Sequence, residues 1–192
     1  MDILCSDKTG TLTLNQLTVG DPVVIDKGDT DLSGDVLSPF WKTIRKITNQ
    51  LIFQMVKMHA ALASQRIDAD AIDSAMLSSL GEDIGALDRD YEIVKFKPFD
   101  PVSKRSEATV KRKSDGHVFK AVKGAPQVIL HIVHNEAEIQ DGVNQSILDF
   151  AGRGYRTLGV AYCDEPRADA SEEKWVYEGY LSLSWSWTFE NS

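Results

Sequence analysis

The sequence predicts an α/β chain in which an antiparallel sheet is flanked by helices, and three observations carry that expectation. Phe40, Ile44, Ile47, Leu51, Met55 and Leu62 recur at three-to-four spacing, the period of one helix face packed on a core. Between about residues 91 and 123 the period falls to two, with a Ser-Asp-Gly turn inside it, the pattern of an antiparallel hairpin. At the start, Asp2-Ile3-Leu4-Cys5 forms a short apolar run that enters a polar, glycine-containing turn, a strand leading into a loop.

Each element follows in order. Residues 21–37 are rich in Asp and Gly and read as a connection, with a short strand near 22–25. Ser38 caps the first long helix, with Pro39 at its first position, where a missing N–H costs nothing. A second helix covers about 70–80: Asp70 and Asp73 complement the dipole in its first turn, and Gly81 ends it. Strands are expected at 93–99, 106–113 and 117–122. Pro126 opens a third helix to about 133, and a fourth runs from about 143 to 151. Gly152-Arg153-Gly154 then delivers the chain to a strand at 157–163. A charged link after Asp164 precedes a strand at about 175–183.

A chain of 192 residues with 42% hydrophobic content can bury one substantial core. The net charge of −8 argues against nucleic acid as a partner, so any phosphate must be held by a local cluster of donors and cations. Cys5 and Cys163 lie far apart without ligand spacing, which suits reduced thiols in a cytosolic compartment. His131 and His134 lack neighbouring ligands and read as solvated or packing residues. No run approaches the roughly 20 apolar residues of a membrane-spanning helix, and the first residues do not form a signal peptide. The chain as written is expected to be soluble.

Chemistry is concentrated in Asp7-Lys8-Thr9-Gly10-Thr11-Leu12-Thr13. A carboxylate becomes a useful nucleophile toward phosphorus only when a metal and surrounding donors neutralise the phosphoryl group. The turn N–H groups from Lys8 to Thr11 and the Thr11 hydroxyl can supply donors. This heptad resembles, without mismatch, the phosphorylation motif of P-type cation-pump ATPases. The resemblance implies that Asp7 accepts phosphate from ATP, with Lys8, Thr9 and Thr11 around it. It also implies Mg²⁺ held by Asp7 and the Thr9 backbone carbonyl. The wider haloacid-dehalogenase-like superfamily often carries a general acid–base aspartate two positions after the nucleophile. Threonine stands there in this chain, so the resemblance implies a phospho-aspartate that survives to be coupled to a conformational change.

Lys123-Gly124-Ala125-Pro126 resembles the same family's nucleotide-binding motif, whose lysine lines the ATP pocket and whose glycine permits close backbone approach. Lys97-Pro98-Phe99-Asp100-Pro101-Val102-Ser103-Lys104-Arg105 resembles the stretch supplying an adenine-stacking aromatic, here Phe99, and a phosphate-directed lysine, here Lys104. That stretch is especially similar to the plasma-membrane proton-ATPase branch. Taken alone, Phe99 reads as core and Lys104 as a solvated hairpin charge; two motifs in family order favour ligand roles. Asp73 falls where the family has an acidic residue near the adenine amino group, or it serves only as helix N-terminal charge. Arg156 matches an arginine that reaches the nucleotide phosphates, or it is a surface arginine before a strand. Asp141-Gly142-Val143-Asn144 resembles the family's magnesium motif but lies in the wrong part of the chain, with Gln145 where a second aspartate is needed; it reads as a helix-capping turn.

The resemblance implies three parts. Residues 1–19 would hold the first strand and phosphorylation loop of a Rossmann-like, haloacid-dehalogenase-type P domain. Residues 20–165 would form the nucleotide-binding N domain, and 166–192 a return strand with an aberrant end. Ser182-Leu183-Ser184-Trp185-Ser186-Trp187 departs from the family's Asp-Pro-Pro-Arg continuation, which suggests a truncated or shifted reading frame or a deliberately excised piece. The parent would be a membrane pump with this region in the cytoplasm, partnered by membrane and actuator domains. This chain is expected to bind ATP weakly without turning it over. A soluble phosphatase of the same superfamily and a non-catalytic nucleotide-binding module remain alternatives.

Overall fold

The computed structural model describes residues 13–24, 39–164, 166 and 173–187. The Asp7 heptad up to Leu12 and the expected cap at Ser38 lie outside the described residues. Among the described residues, six strands form one antiparallel sheet in the order β1-β6-β5-β4-β3-β2. They are β1 (Thr13–Val19), β2 (Tyr91–Asp100), β3 (Arg105–Arg112), β4 (Val118–Gly124), β5 (Arg156–Cys163) and β6 (Val176–Trp187). The α-helices among the described residues are α1 (Pro39–Leu62), α2 (Ala71–Ser78), α3 (Ile84–Asp90), α4 (Pro126–Leu130) and α5 (Glu136–Gly152). None of them is long and apolar enough to cross a membrane.

The sheet is covered on both faces because its strands alternate apolar residues to each side. On one face α1 and α2 supply Val56, Ala60 and Met76 against Leu158, Val160 and Leu181. Further along that face, Ala61, Leu62 and Leu87 pack on Ala108, Val110 and Phe119. On the other face α4 and α5 supply Ile129, Leu130, Ile139 and Val143 against Val122, Ala161 and Tyr177. The mixed α/β architecture expected from the sequence is the one observed.

Several differences have local causes. The helix α3 is absent from the sequence reading, because seven residues containing one buried apolar side chain, Leu87, display no period. The helix α5 begins at Glu136 rather than near 143, so Asp141-Gly142-Val143-Asn144 lies within a helix and is not a capping turn. Ile139 and Val143, four apart and buried, anchor that turn, and packing outweighs the roughly 1 kcal/mol that Gly142 costs inside a helix. The helix α4 stops at Leu130; His131 bonds Glu136 and His134 bonds the Trp175 carbonyl, so both histidines, exposed at the surface, make local bonds. The last strand does not stop at 183 but continues to Trp187, where Thr13 of β1 pairs with it. Of the strand expected near 22–25, residue 25 lies outside the described residues, and Val23 forms a bridge to Tyr180. The strands β1 and β6 thus belong to the same sheet as β2–β5.

Candidate functional site

The register brings the end of β2, the starts of β3 and β5 and the end of β4 to one end of the sheet: Asp100 faces Arg105, Arg105 faces Gly124, and Gly124 faces Gly159. Between β2 and β3 the chain turns on Asp100. Its carboxylate accepts from the Val102 and Ser103 N–H groups, and the Lys104 N–H donates to the Asp100 carbonyl at 2.6 Å. The Ser103 N–H bond, with its Val102 counterpart, holds the Asp100 carboxyl below the usual range. Lys104 takes a left-handed φ of 50°, which presents its side chain at the turn's exit, and its carbonyl accepts from the Ala125 N–H at 3.1 Å. A β-carbon on Gly124 would lie 2.5 Å from that carbonyl oxygen and 2.9 Å from the Arg105 Cα. The close approach at Gly124 is therefore to the protein's own hairpin.

Lys123, one residue earlier, points to the α1/α2 face. Its Nζ donates to Asp73 Oδ1 at 2.5 Å, and both residues are buried, 4% and 7% exposed. The second Asp73 oxygen accepts from the Gln65 N–H at 2.9 Å. The helix α2 places Asp73 there because Asp70 caps it, accepting from the Asp73 N–H at 2.7 Å. An ion pair this deep holds together because desolvation would penalise either charge alone.

Around this buried pair Phe99, Lys104 and Arg156 are open to solvent, with Phe99 55% exposed. Arg156, Leu158 and Val160 alternate along β5, and Val160 pairs with Lys123, so Arg156 belongs to the same face as the Asp73–Lys123 pair. Arg156 lines a cavity of about 220 Å³ with Leu17, Asp70, Ala71, Ile72, Leu183 and Trp185. The structure thus brings Asp73 into contact with Lys123, and Gly124 into backbone contact with Lys104. It sets Phe99 beside that turn and Arg156 at the same sheet end.

Asp7, Lys8, Thr9 and Thr11 lie outside the described residues. No group of three or more His, Cys, Asp or Glu placed to hold a metal occurs among the described residues. The donor set at the sheet end instead suits an adenine nucleotide: an exposed ring for a base, two exposed cations for phosphates, and a carboxylate with acceptor sites left over. Sequence reasoning missed Ser106 and the Ala63–Gln65 segment. Ser106 is buried, pairs across strands with Lys123, and donates to the Ala63 carbonyl at 2.7 Å. Counting back from the Ser-Asp-Gly turn gives that pairing; the contact with residue 63 leaves no local signal.

These features define an α/β module with an antiparallel sheet, and the chain belongs to the P-type ATPase family, as its cytoplasmic domain N, whose family model matches residues 52–182. A plasma membrane ATPase of Dunaliella bioculata is 35% identical over 183 residues, 95% of this chain and 14% of that protein. A putative cation-transporting ATPase of Methanocaldococcus jannaschii is 38% identical over 185 residues, again 95% of this chain and 19% of that protein. A probable plasma membrane ATPase of Dictyostelium discoideum is 39% identical over 186 residues, 95% and 15% respectively. The chain therefore spans less than a fifth of the length of these curated relatives.

Proposed function

We propose that this chain is the ATP-binding part of an ion-pumping P-type ATPase of the proton-exporting branch, and that it holds ATP at the sheet end built by Phe99, Lys104, Lys123 and Arg156. The observation that carries the reading is the buried Asp73–Lys123 pair set among an exposed aromatic ring and two exposed cations. The adenine stacks on Phe99. Asp73, with two of about four acceptor positions occupied, accepts from the 6-amino group. Lys123 is neutralised by Asp73 and serves as the pocket's floor, leaving Lys104 and Arg156 to meet the phosphates. Gly124 keeps the Lys104 turn tight against β4.

In the parent pump, an Asp7 carboxylate oxygen attacks the γ-phosphorus, the bond to the β–γ bridging oxygen breaks, and ADP departs, leaving an acyl phosphate. Mg²⁺ held by Asp7 and the Thr9 carbonyl would neutralise phosphate charge there. Membrane and actuator domains complete the machine, with this region on the cytoplasmic side. This piece, less than a fifth of the length of the relatives it matches, binds ATP by itself without transport or turnover. Incubation with γ-labelled ATP and Mg²⁺ tests this: the expected result is no label on either wild type or Asp7→Asn. Hydroxylamine-sensitive label on wild type alone would contradict the claim of inactivity.

A further inference from the structure

Two hydrogen bonds tie the end of α1 to the pocket. The Ser106 hydroxyl, on β3 beside Lys123, donates to the Ala63 carbonyl at 2.7 Å, and two residues later the Gln65 N–H donates to Asp73 Oδ2 at 2.9 Å. Between them the chain is short and held: Ala63 N–H donates to the His59 carbonyl, and the Ser64 hydroxyl donates to the Ala60 carbonyl. The direction of the Gln65 N–H is therefore set by where Ser106 pins the Ala63 carbonyl. That N–H in turn decides how the Asp73 carboxylate is rotated, because Oδ1 is fixed on Lys123. Removing the Ser106 hydroxyl leaves a buried carbonyl unpaired, and the segment must shift to find another donor.

We infer that Ser106 is a positioning residue for base selection: through Ala63 and Gln65 it orients Asp73 so that its remaining acceptor positions meet a purine 6-amino group. The inference rests on the proposal that this sheet end binds ATP. It adds a residue that touches no nucleotide yet sets the preference for one base. A hydroxyl that only stabilised the fold would affect all nucleotides alike. One that orients Asp73 affects the nucleotide bearing a 6-amino group most.

The test uses the whole chain and titrates ATP and purine riboside triphosphate, which lacks the 6-amino group, into wild type, S106A and S106T. Wild type is expected to prefer ATP by about tenfold, one hydrogen bond to a charged acceptor. S106A is expected to bring the two affinities within about twofold, chiefly by weakening ATP, while S106T retains the hydroxyl and restores the preference. If S106A does not fold, S106C carries the same test, because its thiol is a weaker donor of similar size and should give an intermediate preference. An S106A or S106C protein with a lowered Tm but the wild-type preference would overturn the inference and leave the ATP site standing. Wild type that binds neither nucleotide would overturn both.

Discussion

An alanine at position 124 would set its Cβ 2.5 Å from the Lys104 carbonyl oxygen and 2.8 Å from the Arg105 Cβ, closer than side chains approach in folded proteins. Relief requires β3 and β4 to part at the Arg105–Gly124 pairing, which also displaces Lys104. G124A should therefore lose about 2 kcal/mol in urea denaturation and weaken ATP binding together. Lys123 makes a different prediction. K123M leaves the Asp73 carboxylate buried without its cation and should cost about 3 kcal/mol, measured the same way, whereas the double variant K123M/D73L should recover much of that loss without recovering ATP binding. The exposed Phe99 contributes little to folding: F99A should keep the wild-type Tm and lose about tenfold or more in ATP affinity, a single base-stacking contact. Phe99, Lys104 and Lys123 are nominated by short motifs in the sequence. The Asp73–Lys123 contact was not legible there, since the partners lie 50 positions apart and nothing in either local sequence refers to the other.

At the scale of elements, α1 is fastened to β6 by His59 Nδ1 and Glu178 Oε2, 2.7 Å apart, with both side chains buried and the imidazole stacked 5.5 Å from the Tyr162 ring. H59A strands the Glu178 carboxyl beneath the helix and should cost about 3 kcal/mol, read from chemical denaturation at neutral pH. On the opposite face Glu107 of β3 meets Lys97 of β2 at 2.9 Å and Lys120 of β4 at 3.4 Å. Burial opposes ionisation of Glu107, but the two ammonium groups outweigh it and hold its carboxyl below the ordinary value. Because the folded value is the lower one, the pair's contribution is present above the ordinary carboxylate pKa and is lost as pH falls through the folded value. Denaturation followed from about pH 6 down to pH 3 should show a stability loss that E107Q flattens. The helix and strand pattern was readable where elements were long, as in α1 and the β3–β4 hairpin with its two-residue period. It failed at α3, too short for a period, and at α5, where a glycine suggested a break that tertiary packing overrides.

Over the whole molecule, one sheet carries helices on both faces and gathers the candidate site at the end where β2, β3, β4 and β5 meet. That arrangement explains how residues from 73 to 156 can serve one ligand: alternation along the strands sends Lys123 and Arg156 to the α1/α2 face, and the Asp100 turn brings Phe99 and Lys104 alongside. The family was readable from the motifs, because phosphate and adenine chemistry constrains a few residue types at fixed spacing. The continuity of the sheet through β6 to Trp187 was not, because its final Ser-Trp alternation departs from the family's continuation and carries no motif. The central claim is that this sheet end is an adenine-nucleotide pocket, and amide chemical shifts during titration with ATP test it most directly. The account predicts saturable shifts at Phe99, Ser106, Lys123 and Arg156 that disappear in F99A; no shift at these positions with millimolar ATP would contradict it.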